Sequence, residues 1–285
     1  MSQPVKAPPV SIEPAPLPKA ARKEEPVLLR SQDARGVVTL TLNRPHAFNA
    51  LSEAMLLALQ RELDAIAHDE SVRVIVLAAE GKAFCAGHDL KEMRAAPSLE
   101  YYEELFAQCA NMMLAIQRLP VPVIARVQGI ATAAGCQLVA MCDLAIASSI
   151  AKFAVSGVNL GLFCSAPGVA LSRNLLRKAA FEMLVTGEFI SADEAKARGL
   201  INRVAEPDQL DAEVEKLVTK IVSKPRIAVA TGKEFFYRQV ELGIAAAYES
   251  ASQTMACNMM DQAALEGVQA FIEKRPPRWS KGGER

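Results

Sequence analysis

The 285-residue chain has no surplus of either charge: 32 Lys and Arg stand against 32 Asp and Glu. Without a basic excess it lacks the long-range attraction that drives most non-specific nucleic-acid binding, so nucleic acid is not an expected partner. No apolar run reaches the roughly eighteen residues of a membrane span without charge or Pro, and a secretory signal is not expected. There is no GxGxxG, no GxxxxGK[ST] and no GxSxG, so a dinucleotide fold, a P-loop and a hydrolase elbow are all unsupported. The six cysteines (Cys85, Cys109, Cys136, Cys142, Cys164 and Cys257) lie in scattered segments without the close spacing of a disulfide scaffold. A reducing compartment is expected, the cytoplasm or, in a eukaryote, the mitochondrial matrix. Cys85 and His88 are three apart, but no second pair accompanies them, so no metal is expected and Cys85 reads as a buried thiol beside a turn. Acid is missing too: no Asp or Glu occurs from residue 105 to 142 or from 144 to 181.

What the chain does have is apolar substance, 51% of its residues, enough for a sizeable core. Residues 1–26 contain seven prolines and mixed charge, and read as a disordered Pro-rich arm that is neither Arg-rich nor amphipathic like a mitochondrial presequence. Val74 to Ala79 is an uninterrupted apolar run, expected as a buried strand. It leads into the turn GKAFCAGHDLKEM (81–93), where Gly87 supplies backbone freedom and Leu90 to Met93 returns to helix-compatible residues. Val121 to Val127 and the small-residue helix Ala131 to Ala140 repeat the pattern. In each unit a strand gives way to a helix whose first amides lack partners and favour negative charge.

Elsewhere, Val27 to Arg30 and Gly36 to Leu42 form an expected hairpin. Helical spacing runs from Leu51 to Ile66 and from Tyr102 to Ile116. Asp143 to Ala147 and Lys152 to Val155 read as short strands, and Gly157 to Gly168 as a loop of the kind that carries sites. Helix resumes over Leu171 to Thr186. Ser191-Ala-Asp-Glu194 is a capping box whose helix Gly199 closes, Leu200 to Val204 reads as a strand, and the chain from Asp208 onward is helical. Asp89 is expected to cap the helix after the first turn, and Asp143 to be a structural hydrogen-bonder. Composition and periodicity alone suggest a doubly wound α/β sheet.

The motifs TLNRPHAFNALS, GKAFCAGHDLKEM, VQGIATAAGCQLVAMCDLAIAS, TGEFISADEAKARGLINRV and EGVQAFIEKRPPRW occur in one order between about Val37 and Trp279. Together they resemble the crotonase, or enoyl-CoA hydratase/isomerase, superfamily. GHDLKEM and GVNLGLFCSAPGVAL look most like its enoyl-CoA hydratase domain-containing subgroup. The resemblance implies an α/β spiral of ββα units over residues 27–222. It also implies a C-terminal helical region, 223–285, that drives homotrimers or dimers of trimers. The implied ligand is an acyl-CoA thioester, with coenzyme A as part of the substrate and no separate cofactor. The family's two thioester-binding amides map to His88 and Ala134, where an enolate would be stabilised. Ala86 and Leu90 would hold the adenine by their backbone, and Lys82 would meet the CoA phosphates. His46 stands where hydratases often carry a second lysine. Lys233 and Phe236 would reach a neighbouring subunit's CoA, or be a solvated Lys and a core Phe.

The two glutamates of hydratases map to Gln137 and Gly157, neither of which titrates near neutral pH. A later acid position of other members maps to Ser165, beside Cys164. The remaining candidates for chemistry are therefore Cys164, Ser165, Gln137 and the His88 side chain. Two readings follow. The chain is either an enzyme acting through enolate stabilisation, a lyase or isomerase of acyl-CoA metabolism, or an acyl-CoA binder that has lost its acid and base.

Overall fold

The computed structural model describes residues 25–95 and 97–280; the expected arm lies outside the described residues except for its last two. The chain opens with β1 (Leu28–Gln32) and β2 (Val37–Leu42), then α1 (Glu53–Ala67), β3 (Val74–Ala79), β4 (Ala83–Cys85), α2 (Leu90–Ala95) and α3 (Leu99–Arg118). β5 (Val123–Val127), β6 (Ile130–Thr132), α4 (Ala134–Met141), β7 (Leu144–Ser148) and β8 (Lys152–Ala154) follow, and after a 3₁₀ turn at Ser156–Leu160 come α5 (Ser165–Asn174) and α6 (Arg177–Thr186). β9 (Ile190–Ser191), α7 (Ala192–Ala197), β10 (Arg203–Ala205), α8 (Leu210–Val222), α9 (Arg226–Gln239), α10 (Ile244–Met259) and α11 (Gln262–Ile272) complete it.

The strands form two sheets. The larger has the order β1-β2-β3-β5-β7-β10, parallel except for the β1-β2 hairpin. The smaller has the order β4-β6-β8-β9, with only β9 antiparallel. Chain order and sheet order together define the repeat: β3-β4-α2, β5-β6-α4 and β7-β8-α5 each place one strand in the large sheet, the next in the small sheet, and then a helix. This is a ββα spiral, not the doubly wound sheet that periodicity alone suggests. β3 is buried along its whole length, because its neighbours β2 and β5 cover its edges while helices and α8 cover its faces.

Local chemistry accounts for the ends of these elements. Ser52 Oγ accepts from the Met55 N–H to start α1, and Ser98 Oγ does the same for α3 with Tyr101. Ser191 and Glu194 form the expected capping box. Several expectations shift: Ala131 and Thr132 belong to the strand β6, so the helix expected from Ala131 starts at Ala134, and the strand expected over Leu200 to Val204 is confined to Arg203–Ala205. The loop read over 157–168 ends early, since α5 begins at Ser165 with Pro167 in its first turn, where a missing N–H does no harm. Helix 171–186 is really two helices, broken at Leu175 and Leu176.

The C-terminal helices are tied to the core by a buried polar knot. Asp143, at the start of β7, accepts from the Val123 N–H at 2.6 Å, from Lys233 Nζ at 2.6 Å and from the Tyr237 hydroxyl at 2.8 Å. Lys233 also donates to the carbonyls of Ile116 and Val121, both at 2.9 Å. Burial pulls the Lys233 ammonium below its ordinary pKa, and Asp143 acts against that pull. Large apolar side chains are exposed on α10 and α11 and at the end of α10: Ile244, Tyr248, Met255, Phe271 and the capping Met260 are each at least 70% exposed.

Removing one partner of a buried ion pair strands the other. Asp143→Ala is therefore expected to cost about 3 kcal/mol or more, measured by urea denaturation, while Asp143→Leu combined with Lys233→Met costs less than either single change. Additive single effects would contradict this account of the knot.

Candidate active site

Three chain segments converge on one cavity of about 480 Å³. The first is the turn between β4 and α2. Gly87 there has φ +90, and a Cβ built on it would lie 2.9 Å from Ala133 Cβ and 3.1 Å from the Ala134 N atom. Only glycine lets the two turns approach so closely. Leu51 N–H donates to the Gly87 carbonyl at 2.7 Å, and Asp89 N–H to the Leu51 carbonyl at 3.3 Å, so the strand-like segment at Leu51 holds His88 from both sides. Asp89 caps α2 through the Lys91 N–H and pairs with Arg44 at 3.1 Å. Asn49, fully buried, accepts from the Arg44 N–H and donates to the carbonyls of Glu80 and Ala83. Asn49 sits at φ +54, which Asn tolerates better than most residues, and nothing in the sequence around it signals that role.

The second segment is the start of α4. Ala133 sits at φ 51, ψ −123, a region normally left to glycine, and its N–H donates to the Ala154 carbonyl. Such strain amounts to about 1–3 kcal/mol and marks functional backbone more often than ordinary turns. Ala133 leads into the first N–H of α4, that of Ala134, whose N atom lies 3.1 Å from where a Cβ on Gly87 would be. Among the described residues neither the His88 nor the Ala134 N–H donates to a protein acceptor. Two free amides thus flank Gly87 at one end of the cavity.

The third segment runs through the 3₁₀ turn into α5. It brings Gly157, Leu160, Leu162, Phe163, Cys164 and Ser165 to the wall opposite Met93, Phe106 and Cys109. Among the described residues, none that lines the cavity is Asp, Glu, Lys or Arg. A Cβ at Gly157 would lie 2.6 Å from Cys164 Sγ and 2.6 Å from the Leu162 carbonyl oxygen. The space a side chain would need at 157 is filled by backbone as well as by sulfur. Burial pushes the Cys164 thiol above its ordinary pKa, with the Gly157 N–H opposing, so it is not a thiolate at neutral pH. The His88 imidazole lies edge-on to Phe106 with ring centroids 5.4 Å apart, and burial lowers its pKa while the Leu51 carbonyl opposes. Its Nδ1, like Gln137 Oε1, is buried with no hydrogen-bond partner.

All five candidates for chemistry, His88, Ala134, Gln137, Cys164 and Ser165, line this cavity together with Ala86 and Leu90. Four residues assigned to the coenzyme lie elsewhere. Lys82 and His46 are exposed on neighbouring turns, which meet where Gly81 packs on Pro45. Phe236 is half-exposed on α9, edge-on to Tyr237, and not in the core. Lys233 is not solvated; its three protons are committed to Asp143, Ile116 and Val121, which leaves none for a phosphate. Sequence could not anticipate this, because its partners lie 90 or more positions away.

The sequence profile of the family described as Enoyl-CoA hydratase/isomerase matches residues 32–282. The chain is 47% identical over 261 residues to the mouse (Mus musculus) enoyl-CoA hydratase domain-containing protein 3, mitochondrial, covering 92% of this chain and 87% of that one. Among solved structures it is similar to an enoyl-CoA hydratase of Mycobacterium smegmatis, with 72% identity, a TM-score of 0.89, and 90% of this chain and 99% of that one covered. It is similar also to human enoyl Coenzyme A hydratase domain-containing protein 3, with 45% identity, a TM-score of 0.86, and coverage of 89% and 100%.

Two measurements test this geometry. Gly157→Glu is expected to destabilise the fold by about 2 kcal/mol through overpacking, and adding Cys164→Gly to recover only part of that, because the Leu162 carbonyl remains; urea midpoints equal to wild type would contradict the packing. For His88, the ring is neutral in folded and unfolded chains above pH 6.5. As pH falls below that value the unfolded chain takes up the proton first, so stability is lost until the lower folded pKa is reached. The drop in melting temperature between pH 7 and pH 5 should accordingly be smaller in His88→Leu; an identical drop would contradict it.

Proposed function

The chain belongs to the enoyl-CoA hydratase/isomerase family, and from that premise we propose that its cavity binds an acyl-CoA thioester with the carbonyl oxygen between the His88 and Ala134 N–H groups. The observation that carries the reading is the pair of unpartnered amides held together at Gly87. Both belong to turns whose local dipoles favour negative charge, and each such donor is worth about 3 kcal/mol to a developing enolate. Ala86 and Leu90 suit the adenine end by their backbone. Lys82, with His46 on the adjoining turn, suits the phosphates.

Among the described residues the cavity has no carboxylate to hold water or to deliver a proton, and Gly157 has no room to gain one. Efficient hydration is therefore not its reaction. Chemistry that needs only enolate stabilisation, such as expulsion of CO2 or another leaving group from the substrate, fits the residues present. The second reading, a non-catalytic acyl-CoA binder, is favoured by the same lack of acid and base. The large apolar side chains exposed on α10 and α11 suit a trimer or a dimer of trimers, and the reducing matrix implied by the word mitochondrial in the vertebrate relatives' names suits six free cysteines.

Calorimetry with CoA and butyryl-CoA, alongside a crotonyl-CoA hydration assay, tests this reading. The thioester should bind more tightly than free CoA, and Gly87→Ala, which intrudes between the amides, should weaken that preference by about tenfold or more. Hydration should run at least ~10⁴-fold below that of a two-carboxylate hydratase, since each acid-base group contributes 10²-fold or more. A thioester bound no better than CoA would overturn the reading. If another thioester turns over, Cys164→Ala and Ser165→Ala with unchanged rates would remove both side chains from the chemistry.

A further inference from the structure

The two free amides belong to successive units of the spiral, that of His88 to β3-β4-α2 and that of Ala134 to β5-β6-α4. Their separation therefore depends on how the two units are joined behind the cavity. The strands leading to them join weakly, since β4 and β6 are three residues each and their ladder shifts register between Ala83 and Cys85. So short and irregular a ladder leaves backbone groups to other partners. Gln128, in the junction between β5 and β6, takes them up: its Nε2 donates to the carbonyls of Ala79 at 2.9 Å and of Gly81 and Ala83 at 3.0 Å. The two protons of one amide thus serve three carbonyls along the β3-β4 junction. The junctions also touch through their backbones, for a Cβ on Gly129 would lie 2.0 Å from the Lys82 carbonyl oxygen. Gln128 Oε1, meanwhile, is buried with no hydrogen-bond partner. A bare buried acceptor is unfavourable, so what keeps the amide here is what its nitrogen holds.

We infer that Gln128 is a positioning residue, which sets the spacing of the His88 and Ala134 N–H groups by clamping one unit of the spiral onto the next. Its functional meaning rests on the acyl-CoA reading above, in which those amides grip a thioester oxygen. From Ala83 the chain runs through β4 to Gly87 and His88, and from Gln128 it runs through β6 to Ala133 and Ala134. The clamp closes the base of a frame whose far end is the contact at Gly87. Steric contact at Gly87 sets only the least separation of the two turns; a bond across the junctions is needed to set the greatest. Asn49 grips the same junction, donating to the carbonyls of Glu80 and Ala83. It lies before α1, in neither unit, so it fixes β4 without fixing the distance from β4 to β6. A hydrocarbon side chain at 128 would leave the Ala79 and Gly81 carbonyls without this donor and let β4 drift from β6.

The test is calorimetric affinity for CoA and butyryl-CoA in wild type, Gln128→Leu and Ser191→Ala. The ratio of the two affinities reads the amides, because contacts to the coenzyme are common to both ligands and cancel. Gln128→Leu should shrink the wild-type preference for butyryl-CoA about fivefold, the worth of one misplaced hydrogen bond. Ser191→Ala removes the capping box of α7, which lines no part of the cavity, so it destabilises the fold and should leave the ratio unchanged. A ratio unchanged in Gln128→Leu, with butyryl-CoA preferred by wild type, overturns this inference and leaves the thioester reading standing. Equal shrinkage in Ser191→Ala assigns the effect to general loosening and removes the role from Gln128. Butyryl-CoA bound by wild type no more tightly than CoA overturns both. Should Gln128→Leu fail to fold, Gln128→Asn, whose amide is one methylene too short to reach the same carbonyls, is measured with the same outcomes.

Discussion

The close approach of two backbone turns at Gly87 is the constraint on which the site depends. A Cβ there would overlap Ala133 and press on the Ala134 N atom. The spiral makes the approach possible: β4 and β6 are parallel neighbours in the small sheet, so the turns that follow them lie side by side. Each turn then opens a helix, and the first amides of a helix have no partner of their own. The left-handed backbone of Ala133 completes the arrangement by turning its own N–H onto Ala154 and leaving that of Ala134 free. Strain at a non-glycine residue beside a cavity is what a preorganised donor requires, since the rest of the fold must hold it there.

A second constraint is exclusion. The segment between the 3₁₀ turn and α5 closes over Gly157, so the space a side chain would need there is occupied by the Leu162 carbonyl and Cys164 Sγ. The lack of a side chain there is built into the packing. Together with the amide of Gln137 and the buried imidazole of His88, it makes a cavity better suited to holding charge at its free amides than to moving protons. In the function proposed above, the family's binding geometry persists while its acid-base apparatus does not.

Much of this was legible in the sequence because it is local. The apolar run of β3, the capping box at Ser191 and Glu194, and the glycine in the turn before His88 each announce their structure within a few residues. Asp143 and Asp89 take the structural roles expected of them, since a short carboxylate beside free N–H groups has few alternatives. The ββα spiral was legible only through resemblance. β4 and β6 are three residues each, too short for any periodicity, and they become strands because the spiral sets them edge to edge. α5 was hidden by Pro167 and Gly168, residues that read as loop although proline suits a helix's first turn. The committed ammonium of Lys233 was invisible for a different reason, as its carbonyl partners come from α3 and the loop before β5.

The most direct measurement is a crystal structure of the protein with a CoA thioester bound. The account predicts the thioester carbonyl oxygen within about 3 Å of both the His88 and Ala134 N atoms. A carbonyl oxygen bound anywhere else in the cavity, with those two amides still unpaired, would contradict it.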